Sequence, residues 1–318
     1  MISQNVLFID SCHPSLHEKL SNSGFHCDLF WDKSKEEILE ILPNYEVLII
    51  RSKFKITKEI IDIATRLKCI ARFGAGIENI DVNYAEQKGI SCLHAPEGNR
   101  QAVAEHALGM LLSLLNNLRI SDQEVRKGFW FREKNRGTEL AGKKVGIIGY
   151  GNMGSAFAKC LSGIGCEILA YDKYKSEFSE NYLDEVEMDE IFQEADIVSL
   201  HIPLTQETEY LVNQAFIQKF KKNIILINTS RGKCVNTEAL VQALESRKIS
   251  GACLDVLEYE SVSFEGVDGN KMPEPLNYLL NSDKVILSPH IAGWTHESNL
   301  KMAELLFQRI LDKFSGTS

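Results

Sequence analysis

Short apolar runs alternate with polar, helix-compatible segments through the first third of the chain. The apolar runs, each the length of one strand, cover residues 6–9, 25–31, 47–50, 69–72 and 90–93. Runs of this length, separated by segments long enough for crossover helices, are typical of parallel sheets. The pattern therefore predicts a small parallel α/β domain over residues 1–94.

A second series of apolar runs begins near Lys144. Its predicted strands cover residues 144–148, 166–171, 195–200, 224–228, 251–254 and 285–287. Six strands with crossovers are what a doubly wound dinucleotide-binding domain requires. Between the two series, apolar residues at helical spacing from Ala104 to Leu118 predict one long buried helix. Residues 119–140 are charged and aromatic and predict a connecting segment at the surface or a subunit contact, whereas residues 258–283 predict a long loop.

The turn after the first strand of this second series carries the strongest local signal. Three glycines open a helical pattern directly after an apolar run, and Asp172 ends the next predicted strand. In this context the glycines allow a tight turn and a close approach of a pyrophosphate to the helix N-terminus, while the acid accepts hydrogen bonds from ribose hydroxyls. The predicted phosphate-binding residues are Gly149, Gly151, Asn152, Met153 and Gly154. Asp172 predicts NAD rather than NADP, a preference that Lys173 and Lys175 can soften; a tight turn that binds no ligand is the alternative interpretation.

The composition limits the classes of partner. A length of 318 residues suggests about two domains, and a net charge of −9 argues against nucleic acid or an anionic membrane as a partner. The N-terminus has no basic stretch followed by an apolar core, so secretion is not indicated. The eight cysteines are scattered without a CxxC pair, which predicts reduced thiols in a cytoplasmic protein and no metal site.

Three ionisable residues stand just after predicted strands of the second series. They are Arg231, Asp255 and His290, and ligands of open α/β sheets bind at the carboxyl ends of strands. Hydride transfer to a 2-keto acid needs a cation for the carboxylate and a group that exchanges a proton with the C2 oxygen. Arg provides a planar, permanently charged fork, and His titrates near neutrality. A solvated Arg at a helix N-terminus is the alternative for Arg231.

Five motifs together resemble one family over nearly the whole chain. They are RFGAGIENID at 72–81, GYGNMG at 149–154, HIPLT at 201–205, NTSRG at 228–232 and SPHIAG at 288–293. In order and spacing they resemble the D-isomer-specific 2-hydroxyacid dehydrogenases. The resemblance implies an α/β fold of two doubly wound parallel-sheet domains, a Rossmann NAD-binding domain and a smaller flavodoxin-like substrate domain. The expected substrate domain comprises residues 1–94 and 291–318, and the expected NAD-binding domain residues 95–290.

The resemblance also implies roles for single residues. It gives Arg231 as the catalytic arginine, His290 as the acid/base and Glu260 as the carboxylate that orients His290. The family usually has Pro after that Glu, whereas this chain has Ser261 and an extended segment, so Glu258 and Glu265 remain alternatives to Glu260. The further implied cofactor contacts are His201, Pro203, Thr229, Ser230 and Asp255. The implied substrate contacts are Arg51, Ser52, Arg72, Ala75, Gly76 and Asn99.

The expected activity is NAD-dependent interconversion of a D-2-hydroxy acid and its 2-keto acid. Arg51 and Arg72 resemble the arginines of the phosphoglycerate dehydrogenase branch, which implies 3-phosphoglycerate as substrate in a protein without a C-terminal regulatory domain. The alternatives are that each arginine pairs with a local carboxylate such as Glu78 or Asp81, and that the substrate is glyoxylate, hydroxypyruvate or another keto acid. An NAD-responsive corepressor-like binding protein is the alternative of another class. The family's dimers imply a homodimer formed through the nucleotide-binding domain.

Overall fold

A computed structural model describes residues 4–260 and 273–315. Within them the chain forms two compact units. The first unit runs to Arg100 and resumes at Trp294, and the second comprises Gln101–Gly293. These boundaries lie a few residues beyond positions 94 and 290, where the family resemblance implies that the domains change.

The strands and helices alternate along both units. The strands are β1 (Asn5–Phe8), β2 (His26–Leu29), β3 (Val47–Ile50), β4 (Cys69–Arg72), β5 (Ser91–Leu93), β6 (Lys144–Ile148), β7 (Glu167–Tyr171), β8 (Asp184–Glu185), β9 (Ile197–Leu200), β10 (Ile224–Asn228), β11 (Ile249–Leu254) and β12 (Val285–Leu287). The helices are α1 (Pro14–Asn22), α2 (Lys35–Ile41), α3 (Lys58–Ile63), α4 (Val82–Gln87), α5 (Pro96–Leu115), α6 (Leu118–Arg126), α7 (Asn152–Leu161), α8 (Met188–Glu194), α9 (Gln214–Gln218), α10 (Thr237–Glu245), α11 (Glu274–Asn281) and α12 (His296–Ser315). Two short 3₁₀ turns cover Leu42–Asn44 and Gly232–Cys234.

The first unit is built on a parallel sheet of five strands in the order β2-β1-β3-β4-β5. This is the flavodoxin-like order. All four residues of β3 are buried, which is why this central strand reads as an uninterrupted apolar run. The C-terminal helix α12 packs on the same core through buried residues that include Leu306 and Ile310. Ile50 pairs with Arg72 in the sheet register, so the chain segments that follow β3 and β4 begin side by side.

The second unit is built on a parallel sheet of seven strands in the order β12-β11-β10-β9-β6-β7-β8. Counted from β6, this is the doubly wound dinucleotide-binding order with one strand added at the β12 edge. The direction of winding reverses between β6 and β9, where such folds bind their ligands. The predicted fold class of two parallel-sheet α/β domains is confirmed.

The prediction of six strands for this sheet misses β8. This edge strand consists only of Asp184 and Glu185, so it has no apolar run from which a sequence pattern can detect it. The buried strands are predicted closely because parallel strands covered on both faces are apolar throughout.

The prediction of one helix from Ala104 to Leu118 is also wrong. Helix α5 ends at Leu115, and Asn117 takes a left-handed conformation with φ 53° before α6 begins at Leu118. Asn tolerates this conformation better than most residues, so it allows the chain to turn. No helix in the described ranges combines the length and apolar character needed to cross a membrane.

The predicted loop 258–283 contains the helix α11. Pro275 lies in its first turn, where proline is favoured. Leu276 and Leu279 are buried on one side of the helix. The cluster of Gly and Pro nearby obscured this short apolar period. Glu265, one of the three candidates for the acid that orients His290, lies outside the described residues.

Candidate active site

The three glycines after β6 are required for three different reasons. Gly149 has φ +94°, and a Cβ there would lie 2.4 Å from the carbonyl oxygen of His201 on the neighbouring segment. A Cβ on Gly154 would lie 2.0 Å from the carbonyl oxygen of Gly149, so the helix packs tightly on the strand. A Cβ on Gly151 would meet no atom within 4 Å. Open space at Gly151, where α7 begins, is what a pyrophosphate at this helix N-terminus needs.

Asp172 is fixed at the end of β7 by backbone donors. Its Oδ2 accepts a hydrogen bond from the Tyr150 amide at 2.7 Å, and its Oδ1 accepts from the amides of Tyr174 and Lys175 at 2.9 and 3.1 Å. An ionised carboxylate has about four acceptor positions. The arrangement places the acid beside the glycine turn with acceptor capacity left for a ribose hydroxyl.

The two lysines that follow Asp172 are engaged with other groups. Lys173 Nζ lies 2.5 Å from Glu207 Oε2, which also accepts a hydrogen bond from the Tyr174 hydroxyl at 3.0 Å. Lys175 Nζ donates to the carbonyl oxygen of Tyr150 at 3.1 Å. Glu207 is thus a residue at this site that the sequence pattern did not single out.

His201 and Thr229 bring buried polar atoms to the side of this site. Among the described residues, His201 Nδ1 and Thr229 Oγ1 are buried without a hydrogen-bond partner, although buried polar groups are nearly always paired. Nε2 of His201 lies 2.9 Å from Ser199 Oγ, and burial lowers the pKa of the imidazole to about 3, so the ring is neutral near pH 7. Together with the space at Gly151, these atoms fit a bound dinucleotide. Pro203 is exposed, and its carbonyl oxygen accepts from Thr208 Oγ1 at 2.6 Å.

The three ionisable residues predicted at strand ends lie at one edge of the sheet. Strands β10, β11 and β12 are neighbours, and Asn228 pairs with Leu254, which pairs with Leu287. Because parallel strands end on the same side, the residues that follow them come together there. This edge therefore carries Arg231, Asp255 and His290.

The turn that carries Arg231 is closed by the buried side chain of Asn228. Its Nδ2 donates to the Arg231 carbonyl at 2.9 Å, and its Oδ1 accepts from the Ser230 hydroxyl at 2.7 Å. Arg231 Nη1 donates to the carbonyl oxygen of Ser230 at 2.7 Å. A Cβ on Gly232 would lie 1.9 Å from the carbonyl oxygen of Leu257. Glycine there lets the turn after β10 pack directly on the segment that leads to Glu260.

Glu260 is the described acid that contacts His290. Its Oε2 lies 2.8 Å from His290 Nδ1, and the two side chains are 17% and 24% exposed. The other oxygen of Glu260 accepts a hydrogen bond from the Leu257 amide. Glu258 instead accepts from the Tyr210 hydroxyl and the Thr237 amide, both at 2.9 Å. Of the two described candidates, Glu258 therefore bonds to the start of α10, and Glu260 contacts His290.

From its position after a strand end, Asp255 is expected to face the ligand crevice. The structure instead buries its side chain. It is 1% exposed, and its carboxylate accepts hydrogen bonds from the Ser288 hydroxyl and from the amides of Ile291 and Ala292 at 2.6, 2.9 and 2.8 Å. These bonds make it an anchor for the segment around His290. Its expected contact with a nicotinamide stays a prediction.

The turn after β3, which carries Arg51, is fixed through its backbone. Asp10 Oδ2 accepts hydrogen bonds from the amides of Arg51, Ser52 and Lys53 at 2.7, 2.9 and 3.0 Å, which fixes the turn after β3. The Arg51 guanidinium lies 5.0 Å from the centre of the Trp294 ring, within the range of a cation–π contact. Trp294 is 66% exposed, and nothing in the sequence pattern drew attention to it.

Arg51 and Arg72 are neighbours, as their strand positions predict. Arg72 Nε donates to the Arg51 carbonyl oxygen at 3.2 Å, and a Cβ on Gly74 would lie 1.6 Å from Arg72 Nη1. Within the described residues, Arg51 makes no ion pair with a carboxylate. Asp81 caps α4 instead, accepting from the Tyr84 amide at 3.2 Å. The alternative that Arg51 is neutralised by Asp81 is therefore not supported.

The remaining predicted substrate contacts lie between β4 and α5. His94 Nδ1 lies 2.6 Å from the carbonyl oxygen of Ala75, and the Ala95 amide donates to the carbonyl oxygen of Gly74. Gly76 follows in the same partly exposed segment. Asn99 lies in the first turn of α5, and its Oδ1 is buried without a hydrogen-bond partner among the described residues.

Cys234 follows the Arg231 turn but is fully buried. Burial raises the pKa of its thiol, which keeps it protonated near pH 7 and unreactive. This favours the interpretation of Cys234 as a packed small residue rather than a redox-sensitive one.

Comparison with known proteins places this geometry in a family. Residues 108–292 match the family model described as "D-isomer specific 2-hydroxyacid dehydrogenase, NAD binding domain". Over 276 residues the chain is 37% identical to a hydroxypyruvate reductase of Thermotoga maritima, covering 87% of each chain. It is 34% identical over 313 residues to a D-3-phosphoglycerate dehydrogenase of Archaeoglobus fulgidus, covering 98% of this chain and 57% of that relative. The chain thus spans little more than half the length of that relative.

A solved structure of a D-lactate dehydrogenase from Aquifex aeolicus, complexed with NAD and lactic acid, is similar in fold. It has a TM-score of 0.83 and 31% identity, and the match covers 98% of both chains. The similarity extends over both units, and that relative contains bound NAD in its crystal structure.

Proposed function

Since the chain belongs to the D-isomer specific 2-hydroxyacid dehydrogenases, we propose that it interconverts a D-2-hydroxy acid and its 2-keto acid with NAD. The contact between Glu260 and His290, 2.8 Å long and at the same sheet edge as Arg231, is the observation that supports this most directly. An acid/base histidine oriented by a carboxylate, next to an arginine, is the set of groups that the reaction needs. The second unit binds NAD in this proposal, and the first selects the substrate.

In the reductive direction Arg231 binds the carboxylate and polarises the C2 carbonyl of the keto acid. The reduced nicotinamide, held by the second unit through the turn at residues 149–154 and Asp172, would supply the hydride to C2. His290 gives a proton to the C2 oxygen, and Glu260 holds the ring through Nδ1 so that Nε2 is the nitrogen that exchanges the proton. In the oxidative direction His290 takes the proton from the hydroxyl.

We propose 3-phosphoglycerate and its keto form as the substrate pair. Arg51 and Arg72 supply two adjacent cations at the ends of β3 and β4, and guanidinium groups bind phosphate in bidentate fashion. A 34% identical relative is a D-3-phosphoglycerate dehydrogenase. Reduction of hydroxypyruvate or glyoxylate is the second candidate, favoured by the 37% identity to a hydroxypyruvate reductase over most of both chains.

A kinetic panel tests the proposal and separates the candidates. The purified chain is assayed with NADH and phosphohydroxypyruvate, hydroxypyruvate, glyoxylate and pyruvate, and with NAD and D- and L-3-phosphoglycerate. We expect turnover, restricted to the D-isomer, with the highest kcat/KM for the phosphorylated pair. A higher kcat/KM for glyoxylate or hydroxypyruvate would select the second candidate. NAD binding without turnover of any acid would contradict the dehydrogenase function and leave the corepressor-like alternative.

We also propose a cytoplasmic homodimer that associates through the second unit. Helix α6 has no buried residue, and Leu118, Val125 and Trp130 on and after it are 54%, 50% and 76% exposed. A cluster of exposed apolar side chains of this kind is typical of an interaction surface. Light scattering tests the dimer, which Trp130→Glu should weaken. A wild-type chain that stays monomeric at assay concentration would contradict it.

The cytoplasmic location rests on the cysteines. All eight are free thiols, in keeping with a reducing compartment.

A further inference from the structure

The backbone around His290 depends on one buried residue. The carbonyl oxygen of Asp255 accepts a hydrogen bond from the His290 amide at 2.7 Å. Its carboxylate accepts from Ser288 Oγ and from the amides of Ile291 and Ala292. Between Ser288 and Ala292, every residue except Pro289 therefore donates a hydrogen bond to Asp255.

These bonds support an uncommon backbone conformation at His290. His290 has φ +56°, in the left-handed region that residues other than Gly seldom occupy, although His does so more often than most. Such a conformation persists only where the surrounding structure determines it, and it is found most often at functional sites. The direction of the His290 ring thus depends on the position of the Asp255 carboxylate.

His106 contacts this anchor from a distant part of the sequence. Its Nε2 lies 2.8 Å from Ser288 Oγ and 3.5 Å from Asp255 Oδ1. Ser288 Oγ lies 2.6 Å from the carboxylate, a much stronger acceptor than Met110 Sδ at 3.6 Å, so its single hydrogen goes to Asp255. Its oxygen must then accept from His106, and Nε2 of His106 carries a hydrogen.

The helix α5, which carries His106, is held rigidly by its buried face. Ala104, Ala107 and Leu111 of α5 are fully buried against the core of the second unit. His106 is therefore a donor on a rigid element, and a rigid support of this kind is what sets the geometry of a functional side chain. The contact joins α5 to the end of β12 within one unit.

We propose that His106 is a positioning residue for His290, acting through Ser288 and Asp255. The inference rests on the proposed function, in which His290 exchanges the proton. Without the His106 donor, the Ser288 hydroxyl can turn away from Asp255, and the segment that holds the strained His290 backbone loosens. The proton transfer then slows, whereas substrate and cofactor binding change little.

The experiment compares His106→Leu with His106→Gln, whose side-chain amide restores an N–H donor. For His106→Leu we expect kcat to fall about 10- to 100-fold, the range seen when a partner that orients a metal-binding side chain is lost. KM for the keto acid and the dissociation constant of NADH, measured by fluorescence, should change by no more than about two-fold. His106→Gln should recover most of kcat. Glu105→Gln is the matched control, since Glu105 is exposed on the same helix and bonds only to Gln101 among the described residues.

A double-mutant cycle with His290→Ala shows whether the effect passes through His290. We expect His106→Leu to have no further effect on kcat in the His290→Ala background, because coupled residues are not additive. An equal loss in both backgrounds, or wild-type kcat in His106→Leu, would overturn the inference while leaving the dehydrogenase function intact. If His106→Leu does not fold, Ser288→Ala tests the same route, and unchanged kcat there would overturn it. A wild-type chain that turns over no keto acid would instead overturn the proposed function and this inference with it.

Discussion

The groups after β10, β11 and β12 and those after β3 and β4 differ in how their side chains are held, although a carboxylate fixes the backbone at both edges. At the first edge Asn228 closes the Arg231 turn, Asp255 is 1% exposed with three hydrogen-bond donors on its carboxylate, and Glu260 contacts His290. At the second edge the Arg51 guanidinium lies against Trp294, which is 66% exposed.

The difference indicates a division of labour. Groups that perform chemistry gain from being held in place before the substrate arrives, because reorganising them would raise the barrier. Groups that recognise the variable part of a substrate can lie near solvent, where a change of one side chain costs little stability. We therefore expect substitutions at the first edge to change kcat and those at the second to change selectivity.

The largest effect should follow from His290→Ala. Loss of the group that exchanges the proton should lower kcat roughly 10²- to 10⁴-fold, with the NADH dissociation constant within about two-fold of wild type. His26→Ala removes a histidine whose side chain is 74% exposed in the first unit, and it should leave kcat unchanged. Turnover of His290→Ala near the wild-type rate would remove His290 from the mechanism.

Glu260→Gln should have the next largest effect. The amide keeps the shape but removes the negative charge beside Nδ1 of His290, so the hydrogen bond that orients the ring is weaker. We expect kcat for reduction to fall about 10- to 100-fold, while the NADH dissociation constant stays within about two-fold of wild type.

Glu258→Gln is the matched control for that prediction. Glu258 bonds to Tyr210 and Thr237, so its substitution should lower the melting temperature with little change in kcat. If Glu258→Gln lowers kcat and Glu260→Gln does not, the orienting role belongs to Glu258.

The sequence predicts the strands of both edges closely, and the reason is physical. Buried parallel strands are continuous apolar runs, so β3, β4, β10 and β12 are predicted to the residue. The strand ends then locate Arg231 and His290, because ligands of such sheets bind there. The strand β8 and helix α11 were missed because a two-residue polar strand and a helix beside several Gly and Pro residues lack those patterns.

Contacts between distant segments are the part that no local pattern contains. His106 and Ser288 are 182 positions apart, and Trp294 meets Arg51 only because β3 and the segment before α12 belong to one unit. The choice between Glu258 and Glu260 likewise depends on which side chain faces the segment after β12. Such roles follow from the fold and not from the spacing of residues along the chain.

Arg51→Ala should sharpen the contrast by changing selectivity rather than chemistry. A hydrogen bond to a charged group contributes about 1.5–3 kcal/mol. We therefore expect KM for phosphohydroxypyruvate to rise roughly 10- to 100-fold and KM for glyoxylate to change by no more than about two-fold. Trp294→Leu, which removes the ring beside Arg51, should act in the same direction but less strongly. Lys19→Ala removes a cation of the same unit that pairs with Glu304 and should affect neither KM; equal rises for both acids in Arg51→Ala would argue against phosphate recognition by Arg51.

The smallest effect should come from Glu207→Gln. Glu207 is an exposed residue of the second unit, whose groups after β10, β11 and β12 are mostly held by hydrogen bonds. Glu207 holds Lys173 at 2.5 Å, directly after the acid Asp172 that we expect to favour NAD. Glu207→Gln releases the ammonium group, which can then turn toward the extra phosphate of NADP. Because both side chains are more than half exposed and exposed ion pairs are weak, we expect the ratio of kcat/KM for NADH over NADPH to fall only about 2- to 5-fold. Glu209→Gln removes the same charge from a neighbouring pair with Lys233 at 3.9 Å. If Glu209→Gln lowers the ratio as much as Glu207→Gln, the effect is one of overall charge, and the position of Lys173 has no part in selecting the cofactor.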